Sequence, residues 1–238
     1  MKKYYIIGAM ILLAVIGGSV AFYEYEHNPK VEYKKGLHYY KEKNYKKALP
    51  LFKESAKQNY APAEAKLGYM YLKGWGVPKH SSKAAYWFKK AAEQGNAIGE
   101  DALGRMNLTT AVLDSVLSYS HLARKGIGSK YYQRAVYWFK KSAHQGNAKG
   151  EADLGSMYLK GWGVPQDYSK AVYWFKKAAH QGNTKGENNL GYMYEYGWGV
   201  PQDSNKAAYW FKKAAEQGSV AAKVNLKYLE SEHLFGGY

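Results

Sequence analysis

The chain matches itself at a spacing of 36 residues. Successive copies share the same order of leucine, glycine, tryptophan and alanine positions, and one copy carries an insertion. The four copies occupy residues 61–96, 97–147, 148–183 and 184–219. Self-similarity at this period is typical of stacked supersecondary units that are each too small to bury an apolar face alone. The repeat therefore predicts an array in which every unit packs against its neighbours.

Each copy has the pattern of two helices joined by a turn. Good N-cap residues stand before the first helix, and a glycine follows it, where a left-handed C-cap needs no Cβ. A Gly-Trp-Gly-Val-Pro segment then predicts a chain reversal, and Asp167 or Asp203 suits the N-cap of the second helix. The expected first-helix caps are Asn96, Asn147, Asn183 and Ser219, and the expected stops of that helix are Gly74, Gly161 and Gly197. The second helix is expected to stop at Gly95, Gly146, Gly182 and Gly218.

Both ends of the array depart from the pattern in ways that suit caps. Residues 33–60 form a half-matching unit whose turn lacks Gly-Trp-Gly. Residues 220–230 repeat a first helix, but Lys227 stands where the other copies have a glycine. A terminal helix has no further neighbour to approach, so a long polar side chain is tolerated there. We expect residues 24–32 to be a linker and residues 231–238 to be a tail, in which the last residues, Phe235–Tyr238, are frayed.

The copy at residues 97–147 is longer than the others because of an insertion at residues 107–124. Within it, Val112, Val116 and Tyr119 follow an amphipathic helical pattern, which either lengthens the first helix or adds a short one. The turn is then expected to resume at Gly126-Ile127-Gly128, without the Val-Pro of the other copies.

Four motifs recur through the array, namely Leu-Gly-x-Met-Tyr, Gly-x-Gly-Val-Pro-Gln-Asp, Lys-Ala-x-x-Trp-Phe-Lys-Lys-Ala-Ala and Gln-Gly-Asn. They resemble the Sel-one-like repeat, a relative of the tetratricopeptide repeat, over residues 33–230. The resemblance implies an all-α fold, a right-handed α-solenoid superhelix of about five helix-turn-helix repeats. It also implies an adaptor that assembles other proteins, frequent in bacterial envelope and host-interaction proteins, and it implies no catalytic residues.

Comparison of the copies separates packing positions from variable ones. A glycine beside a recurring leucine costs each first helix roughly 1 kcal/mol relative to alanine, so we expect close approach of a neighbouring helix there. We expect the second-helix tryptophans in the core, and the turn tryptophans Trp75, Trp162 and Trp198 to pack over the turn. The recurring glycines are Gly68, Gly104, Gly155 and Gly191, and the second-helix tryptophans are Trp87, Trp138, Trp174 and Trp210.

Variable positions on the first helices are the candidates for partner binding. In the related tetratricopeptide array this face lines the concave groove, and tyrosine and arginine are favoured anchors in protein interfaces. An ordinary solvated face is the alternative interpretation. The candidate groove residues are Lys66, Tyr69, Lys73, Arg105, Asp153, Ser156, Asn189, Tyr192 and Tyr196.

A second candidate surface is the lysine ladder, a pair of lysines repeated on each second helix close to a tyrosine. Lysine interleaved with tyrosine suits the binding of phosphate or an acidic glycan. The same pairs also fit a solubilising outer face. The ladder consists of Lys89, Lys90, Lys140, Lys141, Lys176, Lys177, Lys212 and Lys213.

The N-terminus predicts a location outside the cytoplasm. Lys2 and Lys3 precede an uncharged run, residues 4–23, which at about 1.5 Å per residue spans about 30 Å, the thickness of a bilayer core. Ser19-Val20-Ala21 also suits a signal-peptidase site. Residues 1–23 are therefore a signal peptide or a membrane-anchoring hydrophobic helix. The repeats would be periplasmic or secreted after cleavage, and otherwise anchored in the inner membrane.

The sequence contains no constellation of catalytic residues. It has no cysteine, which excludes thiolate metal sites and thiol nucleophiles, and its seven histidines are scattered. A glutamate recurs in the first turn of each first helix, where an anion favours the helix N-terminus, at Glu64, Glu100, Glu151 and Glu187. We therefore expect a non-catalytic scaffold with no cofactor, no metal and no evident small-molecule substrate.

The expected partner is another protein, bound in the groove. The net charge of +16 also supports an alternative, the binding of anionic envelope material such as acidic glycan or lipid headgroups through the lysine ladder. Nucleic acid is disfavoured as a partner by the extracytoplasmic location.

Overall fold

A computed structural model describes the backbone of residues 28–117 and 123–235. The chain divides into two compact units, Met1–Gln94 and Gly95–Tyr238. The described residues form eleven helices and no strand, so the predicted all-α repeat fold is confirmed. The predicted signal peptide or hydrophobic helix at residues 1–23 lies outside the described residues. Within the described part of the chain, no helix has both the length and the apolar character needed to cross a membrane.

The first unit is a pair of stacked helical hairpins. Helices α1 and α2 form one hairpin, α3 and α4 form the other, and α2 packs against α3. Their bounds are Pro29–Lys41 for α1, Tyr45–Lys57 for α2, Ala61–Lys73 for α3 and Ser81–Glu93 for α4.

The second unit consists of three hairpins and a final single helix. Each hairpin packs against the next, and α11 packs on α10. The bounds are Ala97–Leu117 for α5, Ala123–His144 for α6, Ala148–Lys160 for α7, Tyr168–His180 for α8, Thr184–Tyr196 for α9, Ser204–Glu216 for α10 and Val220–Phe235 for α11.

The predicted N-cap residues and glycine stops are confirmed. The Asn147 side chain accepts hydrogen bonds from the amides of Lys149 and Gly150, and Asn96, Asn183 and Ser219 cap their helices in the same way. Asp167 and Asp203 cap the second helices of their hairpins. The expected glycines all have positive φ, between 65° and 89°. The local chemistry of caps therefore fixes the length of each helix.

Three predicted boundaries are wrong. The first helix begins at Pro29 and not at residue 33, because the Asn28 side chain caps it, so the linker predicted at 24–32 is partly helical. The last helix continues to Phe235, so residues 231–235 of the predicted tail are helical, and residues 236–238 lie outside the described part of the chain. The turn expected at 126–128 lies inside α6, because that segment lacks the proline that would interrupt a helix. The insertion lengthens both helices of its hairpin.

Every hairpin core is built around one phenylalanine of the second helix and one glycine of the first. A Cβ added to Gly155 would lie 2.7 Å from the Phe175 ring, and that phenylalanine is fully buried. The predicted close approach is therefore confirmed, and its partner is the second helix of the same hairpin. The other pairs are Gly36 with Phe52, Gly68 with Phe88, Gly104 with Phe139 and Gly191 with Phe211.

Candidate binding surface

Four glutamates lie fully buried in the first turn of a first helix. Their carboxylates accept a hydrogen bond from a glutamine at the end of the same hairpin. The donor and acceptor pairs are Gln94 and Glu64 at 2.6 Å, Gln145 and Glu100 at 2.6 Å, Gln181 and Glu151 at 2.7 Å, and Gln217 and Glu187 at 2.6 Å. Burial raises the pKa values of Glu64, Glu100 and Glu187, and a nearby lysine lowers each of them in part. These glutamates hold the two helices of a hairpin together, in addition to the helix-terminus role that the sequence predicts.

The second lysine of each ladder pair provides the counter-charge for one of these buried glutamates. The nitrogen-to-oxygen distances are 3.4 Å for Lys90 and Glu64, 3.8 Å for Lys141 and Glu100, 3.5 Å for Lys177 and Glu151, and 4.0 Å for Lys213 and Glu187. The same ammonium groups lie over the second-helix tryptophans, at 5.2 Å for Lys177 and Trp174. Half of the ladder is therefore bound into ion pairs within the fold.

The first lysine of each pair lies on the outer side of its second helix. Lys89 forms an ion pair with Glu93 at 3.6 Å, and the ammonium of Lys176 lies 6.0 Å from the centre of the Tyr194 ring. Lys140 and Lys212 are exposed. The candidate anion-binding face is therefore narrower than the eight lysines of the sequence pattern.

The second-helix tryptophans pack between hairpins to different extents. Trp174 is 9% exposed and joins the core around Phe139, Leu154 and Met157. Trp87, Trp138 and Trp210 are half-buried. The predicted core position is thus confirmed fully for Trp174 and partly for the others.

In the first unit, two of the three candidate groove residues contact aromatic rings. The ammonium of Lys66 lies 4.8 Å from the centre of the Tyr40 ring. Tyr69 packs edge-on against Phe88, with 5.0 Å between the ring centroids. Lys73 is exposed at the end of α3.

In the second unit, Arg105 and Asp153 belong to a charged network that crosses three first helices. The Arg105 guanidinium contacts Asp101 at 3.1 Å on its own helix α5 and Asp153 at 2.9 Å on α7. Lys185 on α9 also pairs with Asp153, which is only 4% exposed. Burial is the main cause that raises the pKa of Asp101 to about 6; Asp153 raises it further, and Arg105 and Lys149 oppose the shift. This network links consecutive repeats and uses much of the hydrogen-bonding capacity of both predicted groove residues.

The polar candidates beside this network bond to their own helices. The Ser156 hydroxyl donates to the Ala152 carbonyl oxygen at 2.9 Å, and the Asn189 side chain donates to the Lys185 carbonyl oxygen at 2.9 Å. Both side chains are half-buried. The Ser156 hydroxyl and the Asn189 side-chain amide on this part of the groove face are therefore already engaged in hydrogen bonds within the protein.

Tyr192 and Tyr196 lie at the outer end of α9. The Tyr192 hydroxyl donates to Asn225 Oδ1 at 2.9 Å, and its ring stacks against Tyr196 at 6.1 Å between centroids. Tyr196 in turn stacks against Trp198 at 5.0 Å, and it remains 52% exposed. This end of the predicted groove is therefore an exposed aromatic surface that continues into the turn.

Each turn tryptophan stacks on a tyrosine of the preceding hairpin. Trp198 and Tyr168 are nearly parallel, with 5.6 Å between ring centroids and an angle of 13°. Trp75 stacks on Tyr45 and Trp162 on Tyr132 in the same way. The prediction that these tryptophans pack over their own turn is therefore incomplete, because their main aromatic contact lies in the neighbouring repeat.

The glycine after each turn tryptophan fits against the backbone of the same tyrosine. A Cβ on Gly199 would lie 2.6 Å from the Tyr168 carbonyl oxygen. The corresponding distance is 2.6 Å for Gly163 and Tyr132, and 2.7 Å for Gly76 and Tyr45. We call this Trp-Gly contact with the preceding tyrosine the turn dock.

A surface cleft of about 470 Å³ lies in the second unit, between two consecutive turns. We call it the turn cleft. It is lined by Leu159, Lys160, Trp162, Gln166, Tyr168 and Trp198. The Lys160 ammonium lies 4.2 Å from the centre of the Trp162 ring, and Trp198 is 38% exposed. Two of the turn tryptophans line this cleft, but the sequence pattern alone does not reveal it.

Metal binding has no visible site in the described ranges 28–117 and 123–235. No group of three His, Asp or Glu side chains there is placed to hold a metal ion.

Comparison with known families identifies the repeat. The model of the Sel1 repeat matches residues 9–60, 61–96, 117–147, 148–183 and 184–219, well over half of the chain. The chain belongs to the Sel1 repeat family. The matched segment 117–147 begins inside the long hairpin, as expected where an insertion interrupts a Sel1 repeat.

A solved Sel1 repeat structure supports the same assignment. The Sel1 repeat protein from Oxalobacter formigenes is 30% identical, covers 84% of this chain and 75% of its own, and superposes with a TM-score of 0.69. This similarity extends across most of the helical array.

Two curated relatives share the Sel1 repeats over a shorter range. Chitin synthase regulatory factor 3 from Schizosaccharomyces pombe is 32% identical over 49% of this chain and 11% of its own length. The ERAD-associated E3 ubiquitin-protein ligase component HRD3B from Arabidopsis thaliana is 28% identical over 47% of this chain and 15% of its own. The chain thus matches only a small part of these longer proteins. Sel1 repeat proteins generally mediate protein–protein interactions and act as scaffolds or regulators.

Proposed function

We propose that this Sel1 repeat protein is a non-catalytic scaffold that binds a partner protein at the aromatic end of its groove. The observation that carries the proposal is the continuous surface from Tyr192 through Tyr196 and Trp198 to the turn cleft. Exposed aromatic side chains held by stacking lose little conformational entropy on binding, and they are common anchors in protein interfaces.

Three candidate groove residues of the second unit connect its first helices to one another. Arg105, Asp153 and Tyr192 bond across neighbouring first helices and so hold the helices in register. Residues that are already rigid before binding lose less conformational entropy when the partner binds. In this proposal they position the surface, and Tyr196 and the turn residues make the contacts.

The alternative is binding of acidic glycan or lipid headgroups through the lysine ladder. Its support is now limited to Lys89, Lys140, Lys176 and Lys212, because the other four lysines form ion pairs with buried glutamates. Exposed lysines give weak, salt-sensitive attraction unless several of them converge. The protein-binding proposal therefore has the stronger structural argument.

The experiment is site-specific photo-crosslinking in extract of the cells that produce the protein. A photoreactive phenylalanine analogue replaces Tyr196 in one variant and Tyr209 in the control. These tyrosines are 52% and 55% exposed, but Tyr209 lies on the outer side of a second helix. We expect a discrete crosslinked protein from position 196 and none from position 209. Equal labelling from both positions, or labelling from 209 alone, would contradict the proposal.

The proposal includes a location outside the cytoplasm. Its support is the uncharged run at residues 4–23 that follows Lys2 and Lys3. In spheroplasts of a bacterial host, the repeats of the full chain should be digested by added protease, whereas a cytoplasmic marker should stay intact. Protection of the repeats would overturn this part of the proposal.

A further inference from the structure

The last described helix, α11, has one packed side and one exposed side. Ala222 and Leu229 are buried, and Leu226 and Leu229 pack with Phe211 of α10. The opposite side consists of exposed residues at positions i, i+3, i+4, i+7 and i+8, which form one continuous stripe. Within residues 28–117 and 123–235, no helix after α11 covers this stripe. We call it the α11 face, and its residues are Val220, Lys223, Val224, Lys227 and Tyr228.

The α11 face is more apolar than the outer side of a helical array usually is. Val220 is 74% exposed and Val224 is 62% exposed, the largest fractions of any large hydrophobic side chain in the part of the chain that the structure describes. The outermost helix of a solenoid normally has a polar outer surface, because no further repeat covers it. Exposed apolar side chains that share one face are typical of an interaction surface. The two valines are therefore candidates for contact with a partner.

The equivalent face of α9 receives the second helix of its own hairpin. The Thr184 hydroxyl donates a 2.9 Å hydrogen bond to Gln217 Oε1, and the Glu187 carboxylate accepts one of 2.6 Å from the same side chain. A Cβ on Gly191 would lie 2.6 Å from the Phe211 ring. This part of the α11 face therefore lies where a second helix packs in the other hairpins. The three equivalent positions in α11 hold Val220, Lys223 and Lys227.

The two lysines of the α11 face exclude a second helix of the kind found in the 36-residue copies. In the hairpin of α9, Glu187 is paired with Lys213 at 4.0 Å, and Phe211 fits against a glycine. Lys223 stands in the place of the glutamate, so a lysine opposite it would meet a like charge. Lys227 stands in the place of the glycine, so a phenylalanine opposite it would have no room. The second helices of another copy of this chain are also already packed against their own first helices.

The same lysines define the charge of a helix that would fit. Both are exposed and lie about one helical turn apart, so they attract two carboxylates that are also one turn apart. Lys223 is in the first turn of α11, which has no acidic residue, and the N–H groups of a first turn also favour an anion. A helix with carboxylates and apolar side chains on one face would complement both the lysines and the valines.

From the exposed valines, the helix-receiving position and the two lysines, we infer that the α11 face binds an acidic amphipathic helix of another protein. That helix takes the place of a second helix. Its carboxylates lie toward Lys223 and Lys227, and its apolar side chains pack on the two valines and Tyr228. The inference goes beyond the proposed function, since it uses neither Tyr196 nor the turn cleft.

The test is fluorescence polarisation of a labelled synthetic helical peptide mixed with the full chain. The peptide has glutamates at i and i+4 with leucines beside them on the same face. The matched peptide has the same composition in an order that distributes both residue types around the helix. We expect saturable binding of the first peptide and at least about tenfold weaker binding of the second. Equal affinities would overturn the inference, because the net charge of +16 would then be the only attraction.

A charge swap examines the site itself. In Lys223→Glu/Lys227→Glu we expect at least about tenfold weaker binding of the acidic peptide, and binding of a peptide whose two glutamates are replaced by lysine. The control is Lys46→Glu/Lys53→Glu, which changes the net charge equally at exposed positions of α2 and should keep the affinity within about twofold of the wild type. Equal weakening in both variants, or failure of the swapped variant to bind the lysine peptide, would contradict the inference.

A third variant examines the apolar part of the α11 face. Val224→Ser keeps every charge and should weaken binding of the acidic peptide by about threefold to tenfold, because an exposed valine would no longer be buried by the peptide. Far-UV circular dichroism and the thermal midpoint show that each variant remains folded. An unchanged affinity would mean that charge alone holds the peptide, and the inference of an amphipathic helix would fail.

The remaining outcomes separate this inference from other ligands and from the proposed function. If vesicles of phosphatidylglycerol and phosphatidylcholine bind with the same dependence on Lys223 and Lys227 and displace the peptide, the face takes lipid headgroups and the inference fails. If the peptide does not bind but crosslinking at position 196 captures a discrete protein, the inference fails and the scaffold proposal stands. If the peptide binds as expected but position 196 captures nothing, the inference stands without the proposed aromatic surface.

Discussion

The side-chain amide of Gln181 donates a 2.7 Å hydrogen bond to the fully buried carboxylate of Glu151, thirty residues earlier in the same hairpin. The bond joins the last turn region of one helix to the first turn of the other, at the end of the hairpin opposite the Gly-Trp-Gly turn. Lys177 completes the arrangement at 3.5 Å from the other carboxylate oxygen. A buried anion therefore stays satisfied only while both helices of the hairpin remain in place.

Substitution of the two adjacent ladder lysines should have unequal effects. Lys177→Met removes the counter-charge of buried Glu151 and is expected to lower the free energy of unfolding by about 1–2 kcal/mol, a value reduced by the partial exposure of the lysine. Lys176→Met removes only a 6.0 Å contact of its ammonium with the Tyr194 ring and should change the free energy of unfolding by less than about 0.5 kcal/mol. Urea unfolding of both variants measures the difference. Equal losses would show that the ion pair contributes nothing specific.

The turn dock predicts a contrast between two glycines of similar conformation. Gly199→Ala places a Cβ 2.6 Å from the Tyr168 carbonyl oxygen and also forces alanine to φ near 71°. Gly182→Ala meets only the conformational strain, about 1–2 kcal/mol, because nothing lies within 4 Å of its Cβ. We expect a clearly lower thermal midpoint for Gly199→Ala than for Gly182→Ala. A similar midpoint for both would contradict a close backbone contact at the dock.

The packing of Gly155 against Phe175 should appear as energetic coupling. Gly155→Ala is expected to reduce stability by about 1–3 kcal/mol, because the new methyl group meets the buried ring. Phe175→Leu reduces stability by itself but makes room beside Gly155. In the double variant, the added cost of Gly155→Ala should therefore be smaller than in the wild type. A double-mutant cycle measured by chemical denaturation checks this, and strict additivity would refute the contact.

The buried Asp101 predicts a specific pH dependence of stability. Its pKa is raised to about 6 in the folded chain, against about 3.9 in an unfolded one, so the folded state binds more protons between these values. Stability should therefore fall as the pH rises from about 4 to about 6. In Asp101→Asn this part of the dependence should be absent.

The other groups that titrate in this pH range are the same in the wild type and in Asp101→Asn, so the comparison controls for them. Arg105, Asp153 and Lys149 face Asp101 and stay unchanged in the Asn variant, and Glu64, Glu100 and Glu187 contribute a fall of the same sign in both proteins. Asp167 and Asp203, whose pKa values are lowered by bonds to Lys170 and Lys206, act in the opposite direction at lower pH. The difference between wild-type and variant unfolding free energies isolates Asp101. Identical profiles would contradict its raised pKa.

The sequence predicts the repeat fold well because caps and turns depend on chemistry within a few residues. Asn147, Gly161 and Asp167 define a helix, its stop and the start of the next helix without reference to any other copy. The failure at 126–128 has the same origin, because glycine alone is a weak signal when the proline is missing. Local signals therefore locate helices but are less reliable where a copy has diverged.

Contacts between distant residues were harder to predict. A glutamate occupies the position of Glu151 in all four copies. This recurrence does not reveal that Gln181 donates a hydrogen bond to the Glu151 carboxylate or that Lys177 forms an ion pair with it. Helical position alone predicts the groove face, and the sequence does not show that Arg105 and Asp153 bond to each other.

One signal for the turn dock was present in the sequence. A tyrosine occupies one repeat position of the second helix wherever the next copy has a Gly-Trp-Gly turn, at Tyr45, Tyr132 and Tyr168. The equivalent positions are Ser81 and Ser204, and each precedes a segment that lacks this turn.

The turn dock has a consequence for how the array can change in length. Removal of the internal copy 148–183 would bring Trp198 opposite Tyr132, so the same aromatic contact would form across the new junction. Removal of the copy 184–219 would leave Tyr168 with no tryptophan to cover it. Duplication and loss of repeats are therefore tolerated at some junctions and destabilising at others. The segment that must be gained or lost as a unit runs from a tyrosine to the tryptophan thirty residues later.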